Sequence, residues 1–371
     1  MMPLIPYPPP ASLPRLLMLL TALFNSSPSA SPPGLRRAIL FLAVLVSLAL
    51  AEPRFDLEGY RTCRGLPPSS GGPRRRRPSH DTHQSFEGDP QAPCSPELFV
   101  DRVQVGQGGT ATVFSAKYAP AERPVALKIL DAARPAPADN ERCFLSHISD
   151  HRVPEYYCSF KEGDRLVIVM QLIQGAPVQL SPKEEPPLDS APHWQQFLAA
   201  SVEFIAYMHG RGLLLNDFKL SNVLVGAEGQ IHFVDFGYVS LREEISRHGT
   251  ILYGAPERLK LAHYNPRRTW PEHYVLASDW YTLGLALFEV FQGRKVPFGG
   301  RDIPTCRRRI MTGLPQGELP PGALGVLVGG LVRVDRGQRW SWRQICGWVH
   351  ANPQYQVPRI PLCEQLYGAR L

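Results

Sequence analysis

Residues 215–224 have the sequence LNDFKLSNVL, and this stretch decides the fold more than any other part of the chain. It places a carboxylate, an ammonium and an amide (Asp217, Lys219 and Asn222) in one loop, directly ahead of an apolar, strand-like ending. Thirteen residues after Asn222, across a turn and the apolar run IHFV, the triplet DFG occupies residues 235–237. Three such polar groups in one loop have no obvious structural purpose, so they indicate a chemical site.

A glycine-rich hairpin is predicted upstream, at 98–116, where LFVDRVQVGQGGTATVFSA alternates apolar and polar residues around a glycine cluster. The next apolar run, VALKIL at 125–130, carries Lys128 at a position that should otherwise face the core. A buried cation needs a partner, so Lys128 predicts a nearby carboxylate. Glycine-rich hairpins are common by themselves, and this one becomes informative only through the residues that follow it.

Together these motifs resemble the protein kinase family, whose members carry a glycine-rich flap, a strand lysine, the catalytic loop HRDLKxxN and the triplet DFG. The resemblance implies that Asp217 accepts or orients the proton of a substrate hydroxyl and that Lys219 neutralises charge on the transferring phosphoryl group. It also implies that Asn222 and Asp235 hold Mg²⁺, because this hard cation takes oxygen ligands. ATP and Mg are therefore the expected cofactors, and a protein is the expected substrate.

The same resemblance locates the nucleotide site. It implies Gly106, Gly108 and Gly109 for the glycine flap, and Lys128 with Glu141 for the phosphate-binding pair. It implies Val113, Ala126, Met170 and Leu224 for the adenine slot, and Gln171 and Ile173 for the hinge. Ala111 stands where the third glycine of the flap is usual. Glu141 follows Lys128 by only thirteen residues, which suggests that the segment between them is trimmed, and a surface glutamate is the alternative interpretation. Each adenine-slot residue is also a plausible core residue, but their joint placement on the expected strands favours the pocket.

Two residues of the catalytic loop depart from the family pattern. Leu215 replaces a histidine that mainly packs, a role that an apolar side chain can fill. Asn216 replaces the arginine that binds a phosphorylated activation loop, so its absence argues against switching by that route. Control by phosphorylation stays open, because the segment after DFG carries hydroxyl groups on Tyr238, Ser240, Ser246, Thr250 and Tyr253.

Two later motifs bear on the substrate and on the fold. Residues 249–257, GTILYGAPE, resemble the activation-segment ending GTxxYxAPE of serine/threonine kinases, which favours Ser or Thr hydroxyls as acceptors. Residues 279–284, DWYTLG, match the helix motif DxWxxG except that tyrosine replaces its tryptophan, and this helix is expected to anchor the catalytic loop. Arg339 is expected to be the buried partner of Glu257.

Three functional interpretations follow from these residues. The first is an ATP-dependent serine/threonine protein kinase that transfers the γ-phosphoryl group to protein hydroxyls with Mg. The second is a pseudokinase that binds nucleotide or a partner, which Ala111, Leu215 and Asn216 favour and the retained Lys128 and Asp217 oppose. The third is a small-molecule kinase of related fold, which the peptide-platform motifs after DFG oppose.

The predicted fold class is α+β, a two-lobed protein kinase fold with a small β-rich N-lobe and a larger helical C-lobe. The folded domain is predicted at 95–371, with the lobes dividing near residues 175 and 176. A central strand is expected at Leu166–Ile173, and helices at Trp194–His209, Val275–Phe291, Ala323–Val332 and Trp342–His350.

Residues 1–94 are predicted to form a Pro-rich, disordered leader, because 16 of the 38 prolines lie there. Its apolar segment 38–51, AILFLAVLVSLALA, follows Arg36-Arg37 and ends in Ala-Leu-Ala, as in a secretory signal. Its fourteen residues are fewer than the roughly 20 needed to span a bilayer, so a cleaved signal, an anchor or neither remain open. Membrane association or a secretory location is favoured slightly over a cytoplasmic or nuclear one. The interpretations of the run Arg74–Arg77 are a nuclear import signal, a membrane-surface contact and, as the favoured one, a solvated basic stretch.

Cysteine spacing and charge exclude some further classes. The seven cysteines show neither CxxC nor zinc-ligand spacing, so neither a metal site nor a dense disulfide framework is expected. The sequon Asn25-Ser26-Ser27 lies ahead of the apolar segment, so the catalytic region shows no sign of adaptation to the secretory lumen. The net charge of +7 is spread along the chain, so no specific nucleic-acid partner is expected, and the oligomeric state stays open.

Overall fold

The computed structural model describes residues 54–66, 94–109, 111–130, 135–178, 193–244, 249–261 and 272–367. The chain from Phe55 to Leu371 forms one compact unit. Among the described residues, no helix is both long enough and apolar enough to cross a membrane. The apolar segment 38–51, the run Arg74–Arg77 and Ser246 lie outside the described residues.

The described ranges contain both strands and helices. The strands are β1 (Arg54–Phe55), β2 (Phe99–Gln107), β3 (Ala111–Tyr118), β4 (Arg123–Leu130), β5 (Ile148–Ser149), β6 (Tyr156–Glu162), β7 (Arg165–Gln171), β8 (Gly175–Pro177), β9 (Leu213–Leu214), β10 (Val223–Gly226), β11 (Ile231–Phe233) and β12 (Ser240–Leu241). The α-helices are α1 (Leu57–Cys63), α2 (Pro135–Leu145), α3 (Trp194–Gly210), α4 (Pro256–Leu261), α5 (Glu272–Gln292), α6 (Ile303–Thr312), α7 (Gly322–Leu331), α8 (Trp342–Ala351) and α9 (Pro361–Tyr367). Short 3₁₀ turns occupy Pro96–Leu98, Ala119–Ala121, Leu220–Asn222, Ile251–Tyr253, Gln316–Glu318, Arg336–Gln338 and Pro353–Tyr355.

The N-lobe is built on a five-stranded antiparallel sheet in the order β2-β3-β4-β7-β6. Alternate residues of a strand face opposite sides of a sheet. In β4, Val125, Leu127 and Ile129 join a small core on one side, while Ala126 and Leu130 join the main core on the other. Lys128 therefore projects from the same side as Ala126 and Leu130.

The C-lobe is organised around two apolar helices. Helix α3 buries Trp194, Phe197, Phe204 and other residues, and α5 is buried along its second half from Trp280 to Phe291. Two small antiparallel sheets lie beside them, β11-β10-β8 and β12-β9. In the second of these, the pairing of Ser240 with Leu214 joins the chain after DFG to the chain before Asp217.

The predicted α+β fold with a β-rich N-lobe and a helical C-lobe is confirmed. The strand expected at 166–173 is observed at Arg165–Gln171, and the four expected helices are α3, α5, α7 and α8, each within a few residues of its predicted bounds. Helix α2 begins at Pro135, well before Glu141, because proline is tolerated in the first turn of a helix, where the N–H groups have no intrahelical partner.

The structure differs from the predicted disordered leader at residues 57–63, which form helix α1. Asp56 caps its N-terminus by accepting a hydrogen bond from the Gly59 N–H (2.9 Å), and Tyr60 is fully buried against the N-lobe. Proline content averaged over 94 residues does not reveal a seven-residue segment held by long-range contacts. Part of the predicted leader therefore belongs to the folded unit.

The cysteines also differ from expectation, because six of the seven, all of which lie in described ranges, form disulfides. The pairs are Cys63–Cys143, Cys94–Cys158 and Cys346–Cys363, with Cα atoms 5.7, 6.3 and 5.2 Å apart. Cys306 is free and buried. The pairing was missed because two of the bridges join residues 80 and 64 positions apart, which no local spacing motif encodes.

We expect one thiol to react with an alkylating reagent when the protein is denatured without reductant, and seven to react after reduction. Under the first condition peptide mass spectrometry should find Cys306 modified and three linked peptide pairs. Modification of Cys63 or Cys143 before reduction would contradict this pairing.

Candidate active site

A buried ammonium lies at the centre of the site. Lys128 reaches from β4 to helix α2, where its Nζ lies 2.7 Å from the Glu141 carboxylate, and it also donates to Asp235 Oδ1 at 2.8 Å. The side chains of Lys128 and Glu141 are 7% and 1% exposed, whereas that of Asp235 is 31% exposed. The predicted partner of Lys128 is therefore Glu141, which is not a surface glutamate.

Lys128 and Asp235 stabilise each other's charged forms, whereas burial and the charge of Asp235 raise the pKa of Glu141. Burial disfavours the ammonium of Lys128, but the two carboxylates outweigh that cost and raise its pKa above the ordinary value. Burial likewise opposes ionisation of Asp235, and the charge and hydrogen bond of Lys128 overcome it, so the pKa of Asp235 is lowered. At neutral pH the site thus presents a fixed ammonium beside an ionised, partly exposed carboxylate.

Asp217 and Lys219 of the catalytic loop both form hydrogen bonds with Thr250 of the activation segment. Lys219 Nζ donates to Asp217 Oδ2 (2.6 Å) and to Thr250 Oγ1 (2.9 Å), and the Thr250 N–H donates to Asp217 Oδ1 (2.6 Å). Gly249 precedes this threonine with φ +127°, and a Cβ there would lie 2.9 Å from the Asn216 carbonyl oxygen. Only glycine accommodates both the dihedral angle and the close approach.

Asn222 and Asp235 flank two paired strands. Antiparallel pairing of Val223 in β10 with Phe233 in β11 places Asn222 opposite Val234, whose N–H donates to the Asn222 carbonyl oxygen (2.9 Å). The Asn222 side chain donates from Nδ2 to the Asp217 carbonyl oxygen (3.1 Å), so its remaining polar atom, the amide oxygen, is the one that a metal ion can use.

The donor set fits Mg²⁺ and a polyphosphate. One carboxylate and one amide oxygen suit a hard cation that takes further ligands from phosphate and water, and the neighbouring Lys128 suits an anion. Within the described ranges, no group of three or more His, Cys, Asp or Glu side chains could hold a metal ion by itself.

The atypical residues of the catalytic loop have defined roles in the structure. Leu215 is buried in the main core, as expected for an apolar replacement. Asn216, at φ +63°, donates from Nδ2 to the Tyr238 carbonyl oxygen and to Ser240 Oγ, both at 2.8 Å. The backbone N–H groups of Leu215 and Asn216 donate to the Asp279 carboxylate at 2.9 and 3.1 Å, which confirms that the Asp279 helix anchors this loop.

The residues predicted to hold the nucleotide base lie on three neighbouring strands of the N-lobe sheet, β3, β4 and β7, and on β10 of a separate sheet. Ala126 in β4 pairs with Met170 in β7 and both are buried, while Val113 in β3 pairs with Lys128. Leu224 in β10 pairs with Pro177 in β8, which follows the hinge, and is only half-buried. Their role in binding the base remains a prediction.

The predicted flap and hinge also have defined backbone positions. Gly106 pairs with Val113, and the Gly108 N–H donates to the Ala111 carbonyl oxygen (2.8 Å) across the turn that contains Gly109. The Gln171 N–H donates to the Glu155 carbonyl oxygen (2.8 Å). The role of the backbone of residues 171–173 in binding a base remains a prediction.

One buried ion pair and one buried hydrogen bond hold the end of the activation segment. Arg339 donates to both oxygens of Glu257, at 2.5 and 2.9 Å, which confirms the expected pair. The Tyr253 hydroxyl donates to Glu289 Oε1 at 2.6 Å and is buried, so it is a poor acceptor for phosphorylation. Ser240 is buried as well.

Sequence reasoning missed two residues that position the loops. Asn140, which directly precedes Glu141, donates from Nδ2 to the carbonyl oxygens of Gly237 (3.0 Å) and Val239 (2.7 Å). Arg258, which directly follows the APE motif, donates to the Asn216 carbonyl oxygen (2.5 Å). Adjacency to a motif residue was the available signal in both cases.

This two-lobed fold, with a buried lysine–glutamate–aspartate cluster facing a catalytic loop, defines a class of phosphate-handling enzymes. The family model of the protein kinase domain matches residues 99–348, which is more than half of the chain. The chain therefore belongs to the protein kinase family.

Several named relatives are similar to the chain at low identity. It is 25% identical over 278 residues to serine/threonine-protein kinase RUNKEL of Arabidopsis thaliana, covering 71% of this chain and 19% of that protein. It is 24% identical over 268 residues to serine/threonine-protein kinase PAK 5 of Rattus norvegicus (67% and 34%) and 29% identical over 205 residues to serine/threonine-protein kinase ppk11 of Schizosaccharomyces pombe (53% and 62%). The chain thus spans less than two thirds of the length of these relatives.

We expect Asn216→Ala to lower the free energy of unfolding by about 1–3 kcal/mol, because two buried acceptors lose their donor. The substitution also places alanine at a positive φ, so Asn216→Gly, which loses the same hydrogen bonds without that strain, is the matched comparison. Urea unfolding of both variants measures the two effects. Wild-type stability in both would show that the amide does not hold this segment.

Proposed function

We propose that the protein is an ATP- and Mg-dependent serine/threonine protein kinase that transfers the γ-phosphoryl group to hydroxyls of a protein substrate. The observation that carries the proposal is the simultaneous presence of the Lys128–Glu141–Asp235 cluster and the Asp217–Lys219–Thr250 cluster. A pseudokinase needs neither arrangement, whereas phosphoryl transfer needs both, because catalysis rests on positioning and on neutralising charge.

The roles follow from the side chains. Lys128, held by Glu141, binds the α- and β-phosphates, and Asp235 with Asn222 holds Mg²⁺, which when bound neutralises charge between the phosphates. Asp217 takes a hydrogen bond from the substrate hydroxyl and orients it, or accepts its proton. Lys219, which donates to Asp217 and to Thr250, lies where it can neutralise charge on the transferred group.

The preference for serine or threonine is supported by Thr250. Its N–H and hydroxyl both contact the catalytic pair, so the activation-segment ending GTxxY lies against Asp217. The named relatives are also serine/threonine-protein kinases.

We expect Asp217→Asn to lower the phosphorylation rate by about 10²–10⁴-fold, because an amide cannot accept the hydroxyl proton. Lys128→Met should also abolish detectable transfer, since it removes the phosphate-binding charge. The measurement uses the full chain with labelled MgATP and mixed protein substrates. The matched control is Lys117→Met, a lysine in an exposed ion pair with Glu122, and it should keep wild-type activity.

If the wild type and both site variants are equally silent but still bind ATP, the pseudokinase interpretation replaces this proposal. Phosphate found on small metabolites and not on protein would favour a small-molecule kinase. The assay needs a chain that retains Cys63 and Cys94, because both form disulfides to the N-lobe.

We also propose that the protein acts in an oxidising compartment of the secretory pathway and that segment 38–51 directs it there. Three disulfides support this location, because cytosolic and nuclear thiols are kept reduced. Cleavage after Ala51 would leave α1 and its Asp56 cap intact near the new N-terminus.

N-terminal sequencing of the protein from fractionated cells tests this location. We expect a chain that starts at Glu52 in the secretory fraction, or an uncleaved chain in the membrane fraction. An uncleaved chain in the cytosol would contradict the proposal.

A further inference from the structure

Helix α1 lies between helix α2 and the chain that follows DFG. The ring of Tyr60 is fully buried, and its hydroxyl lies 2.8 Å from Asn140 Oδ1, to which it donates, and 3.3 Å from the Val239 carbonyl oxygen. Burial raises the pKa of Tyr60, so its hydroxyl stays protonated at neutral pH. Tyr60 of α1 thus contacts both α2 and the chain that follows DFG, and these two segments build the nucleotide site.

Asn140 extends this contact to the metal-binding triplet. Its Nδ2 donates to the carbonyl oxygens of Gly237 and Val239, while the next residue, Glu141, accepts from the Phe236 N–H (3.2 Å) and from Lys128. Two consecutive residues of α2 therefore bind the backbone on either side of Gly237. A movement of α2 would therefore break the contact between Glu141 and Lys128 and would at the same time release the backbone of residues 236–239.

Aromatic rings connect the same elements. Phe144 of α2 lies 4.6 Å from Phe236 of the DFG triplet, measured between ring centroids, and 5.6 Å from Phe55, which itself lies 5.4 Å from Tyr60. This continuous apolar packing runs from the chain beside α1, through α2, to DFG.

Helix α1 is attached to both sides. Toward α2, Cys63 forms the disulfide with Cys143, and Gly59 lies so close to His147 that a Cβ would collide with its ring. Toward the activation segment, Arg61 pairs with Glu243, and Arg64 pairs with Glu244 at 2.5 Å. The covalent bond keeps α1 at α2 even though a seven-residue helix has little stability of its own.

We propose that α1 is an intramolecular activating element, in which Tyr60, through Asn140, is a positioning residue that holds Glu141 and DFG in the arrangement for phosphoryl transfer. The inference rests on the proposed kinase activity and explains how the site is aligned without the arginine that Asn216 replaces. In a phosphorylation-switched kinase the binding energy comes from a phosphate on the activation loop. In this protein, contacts between α1 and the rest of the same chain supply that binding energy.

The first test removes a single oxygen atom. In the full chain we expect Tyr60→Phe and Asn140→Ala each to lower kcat by about 10- to 100-fold, because misplacement of catalytic groups by about 1 Å costs that much. KM for ATP should change by less than about threefold, since the residues do not touch substrate. The double variant should be little worse than Asn140→Ala alone, because Tyr60 acts mainly through Asn140.

The matched control is Tyr207→Phe, which removes a buried hydroxyl that has no hydrogen-bond partner among the described residues. It should keep the wild-type kcat. A merely stabilising role for Tyr60 would lower the melting temperature but leave kcat at a permissive temperature unchanged, so both are measured on each variant.

The second test removes the covalent attachment. Cys63→Ser combined with Cys143→Ser should lower kcat, whereas Cys346→Ser combined with Cys363→Ser, which removes the C-lobe disulfide between α8 and α9, should not. The C-lobe pair controls for loss of a disulfide as such. Equal loss of kcat in both pairs would overturn the activating role.

Hydrogen exchange separates this inference from the proposed activity. Amides of residues 237–241 should exchange faster in Tyr60→Phe than in the wild type or Tyr207→Phe, whether or not the protein transfers phosphate. If the wild type is inactive while exchange changes as expected, the proposed function fails and α1 still positions this segment. Unchanged exchange together with unchanged kcat overturns the inference.

Discussion

The ammonium of Lys128 is almost fully removed from water, and its pairing with two carboxylates is the constraint on which the site depends. Removing a partner from a buried ion pair costs about 3–5 kcal/mol, so the folded state is most stable when Glu141 and Asp235 both reach Lys128. These partners lie 13 and 107 residues away along the chain. One ionic cluster therefore fixes the N-lobe sheet, helix α2 and the start of the activation segment relative to one another.

The catalytic loop holds the segment after DFG without an ion pair at position 216. An arginine at position 216 would need an anion, whereas the amide of Asn216 is satisfied by the Tyr238 carbonyl oxygen and Ser240 Oγ. The segment after DFG is thus fastened by hydrogen bonds from Asn216 and Asn140, neither of which needs a covalent modification. This arrangement agrees with the burial of Ser240 and Tyr253, two of the hydroxyls that phosphorylation would otherwise use.

Motif spacing was enough to predict the fold class and the residues that cluster around Lys128 and Asp217, because each motif is contiguous and the distances between motifs are characteristic. It was not enough for α1, whose seven residues are too few for a periodic pattern, nor for the disulfides, whose partners are far apart in the chain. The separation of thirteen residues between Lys128 and Glu141 suggested a trimmed segment, and in the structure α2 already begins at Pro135. Proline-rich composition was a poor guide there, since it could not distinguish a first helical turn from a loop.

The two N-lobe disulfides are interlaced, because Cys94 lies between Cys63 and Cys143 while its partner Cys158 lies beyond both. Neither bond can close until Cys143 of α2 has been synthesised, and the bond of Cys94 also needs the later Cys158. Four cysteines allow three pairings. Strands β2 and β6 are opposite edges of the sheet, and packing in the small core, where Phe99 stacks on Phe160, brings Cys158 of β6 near the start of β2. The native pairs of the small lobe are therefore selected by packing between distant segments, whereas Cys346 and Cys363 are only 17 residues apart and can pair locally.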